Sequence, residues 1–494
     1  MSRPTSLQVR TATGDVEGHL VGDSYEFRGI PFAGPIGDVQ RFKAPTPPSP
    51  WSGVLRAERW PPMTPQRAVV TATGDPLYGD VFGPDYSDEQ SESGLYVNVW
   101  TPGAGGPERP VLVFLHGGGL TSGQATRPRE NGARLAAQQD IVVVAPSHRL
   151  GMCGYLYLAS LSEEYAANVG MVDLVAALRW VRDNIQHFGG DPDNVTIMGE
   201  SGGSLKVATL LAMPAASGLF HRAICQSGAY PMGAIAPVTL EVAQDAARRT
   251  LHTLGVRESE LHALADIPLP ALLDGGTATL ASFTPVIEPG ALPVTPSDVA
   301  GWKRGDIVPL LIGTDRDEMR VISTFMRLAP CLEEFRSQQG VLGNNLIRYY
   351  ADTQPELPYA GLRERVMTDT WYRLPALSFA DAMAANGAEV YMYLFTWENP
   401  ARPDVGASHG TETPFIFNAV SAVPALAHAP GTDALATSMS AAWASFARTG
   451  RPACDAAFAE WPTYVPSRRS TMVIGDSFDV VEDPSGEVRR VATG

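Results

Sequence analysis

The stretch VTIMGESGGSLKV, residues 195–207, decides the fold. It starts as an apolar β-type run and ends as a helix former. Between the two, Gly199-Glu200-Ser201-Gly202-Gly203 fits the pattern G-x-S-x-G. A strand that turns directly into a helix leaves its middle residue at the apex, and only small neighbours allow so tight a turn. A glycine-rich turn with Ser201 as a helix cap would use the same letters. The buried-type strand before the pentapeptide and the apolar SLKVATLLAM after it favour an exposed, reactive serine.

Working outward, LYVNVW (95–100), VLVFLHGG (111–118) and IVVVAPS (141–147) are near-continuous apolar runs rich in valine and isoleucine. Such runs suit strands buried on both faces, as in a largely parallel sheet. Helical patterns lie between them. The clearest is MVDLVAALRWVRDNIQHF (171–188), whose apolar residues recur at three and four and which GGDPDN ends. Further strand signals are RAICQSG (222–228), IVPLLIGTD (307–315) and VYMYLFTW (390–397). The alternation predicts an α/β protein with helices flanking a large, mostly parallel sheet. LQVRTA, VEGHLV and YEFRGI near the start predict a small antiparallel sheet. Residues 238–300 and 320–385 read as mostly helical insertions over the sheet, within one catalytic domain spanning 1–494.

Composition sets bounds on partners. The 494 residues are 44% apolar and 18% charged, an ordinary globular balance. A net charge of -16, with no basic tract, argues against nucleic acid. There is no 18-residue apolar run and no signal-type start, so the chain is expected to have no membrane span and to be cytoplasmic. Lysine occurs only at 43, 206 and 303, which we read as a coding bias. Cys153, Cys225, Cys331 and Cys454 are too sparse for a disulfide framework or a zinc site. The amphipathic stretch at 432–450 suits the core or a second copy equally, so a monomer and a homo-oligomer both stay open.

A nucleophilic serine needs donors for an oxyanion, a base and an orienting acid. His116-Gly117-Gly118-Gly119 follows directly on the strand VLVFL and bares backbone N–H groups; the amide of Gly202 adds another. A phosphate cradle is a weaker reading, since no G-K-[ST] follows. Of nine histidines, His409 lies in GASHGTETPF after the strand VYMYLFTW, where a base belongs. Asp315, Asp317 and Glu318 all follow a strand, and spacing does not choose among them.

With these residues in view, the chain resembles the type-B carboxylesterase/cholinesterase family of the α/β-hydrolase superfamily. FRGIPFA, SESGLYVNVW, VLVFLHGGGLTSG, RLGMCGY, the GESGG region, LFHRAICQSG, IGTDRDEM and HGTETPFIF follow in family order from about residue 8 to 475. The resemblance implies Ser201 as nucleophile, His409 as base and Glu318 as acid, with the amides of Gly118, Gly119 and Gly202 as the oxyanion hole. It implies that Ser227 supports the catalytic hydrogen bonds. It also implies two buried structural ion pairs, Arg28 with Glu92 and Arg149 with Asp173. No cofactor or metal is implied. Departures from the family pattern are Gly94 for a disulfide cysteine, Gly202 for alanine, Ser204 for glycine, Met319 for glycine and Ser147-His148 for Asn-Tyr. His148 is expected to be locally structural.

The implied activity is hydrolysis of short-chain or aryl carboxylic esters, with aryl carbamates (or amides) as the alternative substrate and a non-enzymatic binding role disfavoured by the filled triad. Phe283, Trp371, Tyr372, Phe395 and Phe415 are candidates to line the pocket, together with the loop 62–88.

Overall fold

In the computed structural model the described residues are 3–67, 76–84, 89–233, 235–275, 283–302, 307–326, 328–453 and 460–493. Cys454, Lys303, positions 68–75 and 85–88 of the loop, and 276–282 and 327 of the helical stretches lie outside them.

The strands are β1 (Ser6–Arg10), β2 (Asp15–Val21), β3 (Ser24–Pro31), β4 (Val54–Arg56), β5 (Tyr96–Thr101), β6 (Arg109–Leu115), β7 (Val142–Pro146), β8 (Gly190–Glu200), β9 (Arg222–Gln226), β10 (Leu310–Asp315), β11 (Val390–Phe395), β12 (Ser470–Ile474) and β13 (Phe478–Glu482). Among the described residues they form one 13-stranded sheet, ordered β1-β2-β3-β5-β7-β6-β8-β9-β10-β11-β12-β13, with β4 beside β2. Pairing is parallel from β7 through β12 and antiparallel at both ends. The N-terminal antiparallel strands therefore extend the edge of the main sheet through the β3–β5 pairing. The hairpin β12–β13 closes the other edge, and the sequence reading did not assign it.

The central strands are apolar throughout because helices cover both faces. Residues of β6 and β7 alternate between two cores: Val111, Val113, Val142 and Val144 pack in one, Leu112, Phe114 and Val143 in the other. The helix Val169–Asn184 presents Met171, Leu174, Val175, Leu178 and Val181 to the first core, and Gly189 (φ 82°) ends the 3-10 turn that follows it. Within 238–300 lie a helix Leu240–Leu254, a 3-10 stretch Glu258–Ala265 and a helix Leu269–Gly275. Within 320–385 the helices Leu332–Gln338, Val341–Thr353 and Tyr359–Thr368 lead through a π-turn, Asp369–Arg373, into Leu374–Ala385. Pro375 sits at the start of that last helix, where a missing N–H costs nothing. No helix among the described residues is long and apolar enough to cross a membrane.

One expected ion pair forms and one does not. Arg149 binds Asp173 through Nη2 and Nε at 2.6 and 2.8 Å, both side chains wholly buried. Arg28 instead pairs with Glu26 at 2.5 Å and stacks over Trp60. Glu92 is taken by Arg41, which grips it with two bonds of 2.6 Å and also reaches the carbonyls of Leu264, Ala265 and Ile267. The Arg41 guanidinium thus pairs with both carboxylate oxygens of Glu92 and with backbone carbonyls at once.

Candidate active site

Ser201 stands between β8 and the helix Gly202–Ala212 with φ 56° and ψ −122°. A left-handed φ at a non-glycine residue costs about 1–3 kcal/mol and is held by its surroundings. The Ser201 N–H donates to the Gln226 carbonyl at 2.8 Å, and its carbonyl accepts from Leu205 N at 3.2 Å. Glycine is required at two neighbours. A Cβ on Gly203 would lie 1.9 Å from the Leu115 carbonyl oxygen, and one on Gly202 would lie 2.0 Å from that of Gly119. The helix start is thus pressed against the end of β6 and the turn after it. Gly202, where the resembled family has alanine, leaves no room for a methyl group here.

That turn is the H-G-G-G segment. Gly118 and Gly119 have φ 91° and 64°. Their amides donate to no backbone or side-chain acceptor among the described residues. Gly202 is the first residue of its helix, so its N–H also lacks an intrahelical partner. A Cβ on Gly117 would lie 2.7 Å from Glu200 Oε2 and 3.5 Å from Ser201 Cβ, so the glycine turn lies against the serine. These unpaired donors can receive a developing negative charge.

His409 lies in the loop after β11, at the start of a turn that leads into the short helix Thr413–Ile416. Its ring is buried against Tyr372, with centroids 4.9 Å apart. Its Nδ1 donates to Glu318 Oε2 at 2.6 Å. Glu318 Oε1 accepts from the Asp315 N–H at 2.8 Å, which leaves the carboxylate little freedom to turn. Of the three acids that follow β10, only Glu318 contacts the imidazole; Asp317 pairs with Arg316 and Arg365. The other ring nitrogen, Nε2, lies 3.2 Å from Glu200 Oε1. Burial lowers the imidazole's pKa, but Glu200 and Glu318 outweigh it and push the value up to about 9. Ser201 and His409 line one cavity with no direct hydrogen bond between the hydroxyl and the ring.

Sequence reading missed the acidic surroundings of His409. Glu412, three residues on in H-G-T-E, accepts from Gln226 Nε2 at 2.9 Å. Gln226 thereby ties Glu412 to the serine's own N–H. Burial and the nearby Glu200 raise Glu412 to about 7. No donor reaches Glu412 Oε2 or either carboxyl oxygen of Asp315, and the two groups lie against each other. Burial and the nearby Glu412 hold Asp315 well above the ordinary carboxyl range. The adjacency of Glu200 to Ser201 and of Glu412 to His409 was the available signal. Ser227 departs from expectation: its N–H donates to the Gly313 carbonyl, while its buried hydroxyl has no partner and makes no bond to the triad residues. Gln226, its neighbour at the end of β9, bonds the Ser201 N–H through its carbonyl and Glu412 through its side chain.

The other departures settle into local packing. The Met319 side chain is wholly buried and its N–H bonds Thr368 Oγ1 at 3.2 Å, so Glu318 keeps its place. The Ser204 hydroxyl bonds the Gly228 carbonyl. His148 stacks on His116, centroids 4.7 Å apart, as a structural ring. Burial holds both rings well below their ordinary pKa, so they are neutral.

Ser201, His409 and Glu200 line one cavity of about 480 Å³. Its walls include Gln66, Gln124, Tyr78, Phe82, Ile322 and Tyr372. Of the aromatic candidates Tyr372 lines it, whereas Phe395 and Phe415 pack in the second core and Phe283 in the first. No cluster of metal-ligating side chains occurs among the described residues.

The model of the Carboxylesterase family matches residues 5–488. Para-nitrobenzyl esterase of Bacillus subtilis is 35% identical over 98% of this chain and 97% of that protein. Phenmedipham hydrolase of Pseudarthrobacter oxydans is 31% identical over 94% of each. Among solved structures, a PNB esterase superposes with a TM-score of 0.83 at 34% identity, covering 98% of this chain and 99% of that one. A Geobacillus stearothermophilus carboxylesterase gives the same TM-score, 0.83, at 34% identity and the same coverage, 98% and 99%. The strand-to-helix serine, the buried imidazole–carboxylate pair and the full-length similarity converge: the chain belongs to the carboxylesterase family and is a serine-dependent carboxylic-ester hydrolase.

Proposed function

We propose that Ser201, His409 and Glu318 are the nucleophile, base and orienting acid for short-chain or aryl carboxylic esters, with the amides of Gly118, Gly119 and Gly202 as the oxyanion hole. The 2.6 Å bond between His409 Nδ1 and Glu318 Oε2, in a ring that shares a cavity with the elbow serine, carries this reading. His409 Nε2 takes the hydroxyl proton as Ser201 Oγ bonds to the ester carbonyl carbon. The carbonyl electron pair moves to oxygen, where the three amides meet it; one such donor is worth about 3 kcal/mol at the transition state. The C–O bond then breaks, His409 returns the proton to the departing alcohol, and an acyl-enzyme remains. Water, deprotonated by the same ring, releases the acid. The cavity volume of about 480 Å³ suits a small ester.

The test is steady-state hydrolysis of 4-nitrophenyl acetate, butyrate and octanoate and of a matched N-aryl carbamate, with Ser201→Ala as the blank. Acetate and butyrate should give the highest kcat/KM, and the variant should lose about 10⁶-fold in kcat. Serine-independent turnover would overturn the nucleophile assignment. A carbamate kcat/KM at or above the esters would move the substrate class to carbamates.

A further inference from the structure

Of the three lysines in this chain, Lys206 is wholly buried, and it lies on the helix that carries the serine. Its Nζ donates to the His116 carbonyl at 2.9 Å. His116 is the hinge between the end of β6 and the glycine turn, and its own Nδ1 contacts the Gly117 carbonyl at 2.8 Å. Water does not compete for this carbonyl. The close approach that Gly203 permits, with its Cβ position 1.9 Å from the Leu115 oxygen and 3.1 Å from the His116 oxygen, seals it against the helix. His148, stacked on His116, seals the imidazole side. A buried carbonyl and a buried amine that lost each other would both be left without a partner, so the bond holds its two elements in register.

We propose that Lys206 is a positioning residue for the oxyanion hole: from the serine's helix it grips the His116 carbonyl and so fixes the turn whose Gly118 and Gly119 amides face Ser201. This rests on the oxyanion assignment above. One helix then sets both reacting partners, since Ser201 and the grip on the turn lie five residues apart on it. Burial draws the Lys206 ammonium down to about 7, with Arg127 adding to the fall and Glu200 and Glu130 opposing it. The grip survives that titration, because ammonium and amine both carry N–H donors. A shift of the turn by about 1 Å costs on the order of 10²-fold in rate.

Lys206→Met keeps the stem and removes the donor. Measured on 4-nitrophenyl acetate, kcat should fall about 10–100-fold with KM changed less than about threefold. The Ki of an aryl trifluoromethyl ketone, whose serine adduct places an oxyanion in the hole, should rise in the same ratio. The Ki of the matching methyl ketone should not move. Unchanged kcat and trifluoromethyl ketone affinity would overturn the proposal. So would equal weakening of both ketones, which marks general damage. If Lys206→Met does not fold, Lys206→Leu, which also lacks a donor, is read by the same two ratios. Failure of the underlying reading is distinct: Ser201→Ala would then retain turnover, or the wild-type enzyme would bind both ketones alike.

Discussion

The two sides of Ser201 handle charge in opposite ways. On the His409 side the chain buries the carboxyl groups of Glu318, Glu412 and Asp315. On the glycine-turn side it places unpaired amides, two neutral imidazoles and the amine of Lys206. Glu200 lies between them, with one oxygen toward His409 and the other toward Gly117. A cation forms on the first side during the reaction and an anion on the second. Each side thus holds in advance the dipoles and charges its own intermediate needs, in a site where water cannot supply them. The acidic side relies on carboxyl groups, two of which burial and neighbouring acids hold above their ordinary range. The amide side relies on backbone N–H groups, held in place by the Lys206 bond to the His116 carbonyl.

The comparison breaks most visibly at Glu318. Glu318→Gln keeps the shape but cannot stabilise the imidazolium, and kcat should drop about 10⁴-fold; a loss under tenfold would show that Glu200 orients the ring instead. On the amide side, Gly202→Ala should cost on the order of 10²-fold in kcat, with KM moving less, because the methyl group must push the Gly119 carbonyl away. Kinetics near wild type would mean the turn yields freely. Glu200→Gln sharpens the contrast through pH. The base must be neutral to act, and Glu200 helps hold it near 9, so the acidic limb of kcat/KM should move down by about 1–2 pH units. A limb that stays in place removes Glu200 from the account. The smallest effect belongs to Asp315→Asn. Asp315 titrates higher folded than unfolded, so the wild type loses stability as pH rises above about 4, where the unfolded carboxyl ionises. The variant's Tm should therefore gain on the wild type between pH 4 and neutrality; parallel curves would refute the raised titration of Asp315.

The two sides were also unequally legible. G-E-S-G-G and H-G-G-G are contiguous, and each follows a buried strand, so local pattern alone placed them. His409 was reachable because it follows a strand end, where a parallel sheet gathers its functional loops, whereas only the family resemblance singled Glu318 out of three acids at the end of β10. The roles of Asp315, Glu412 and Gln226 arise from contacts between separate strand ends, which no local pattern records. Arg28 and Glu92, a pair the family resemblance implied, show the same limit: Arg41 takes Glu92 while also binding backbone carbonyls near residue 265. The β12–β13 hairpin escaped for another reason. In β13 only Phe478 is buried while Val480 and Val481 face solvent, so the strand shows no alternating buried pattern.

The seclusion of Lys206 has a practical side. An amine-reactive dye or activated resin meets the partly exposed Lys43 but finds no path to the amine behind the glycine turn. Coupling the folded enzyme through lysine should therefore leave the serine's helix chemically untouched. A peptide mass map of the coupled protein would show residue 206 unmodified until the chain is denatured.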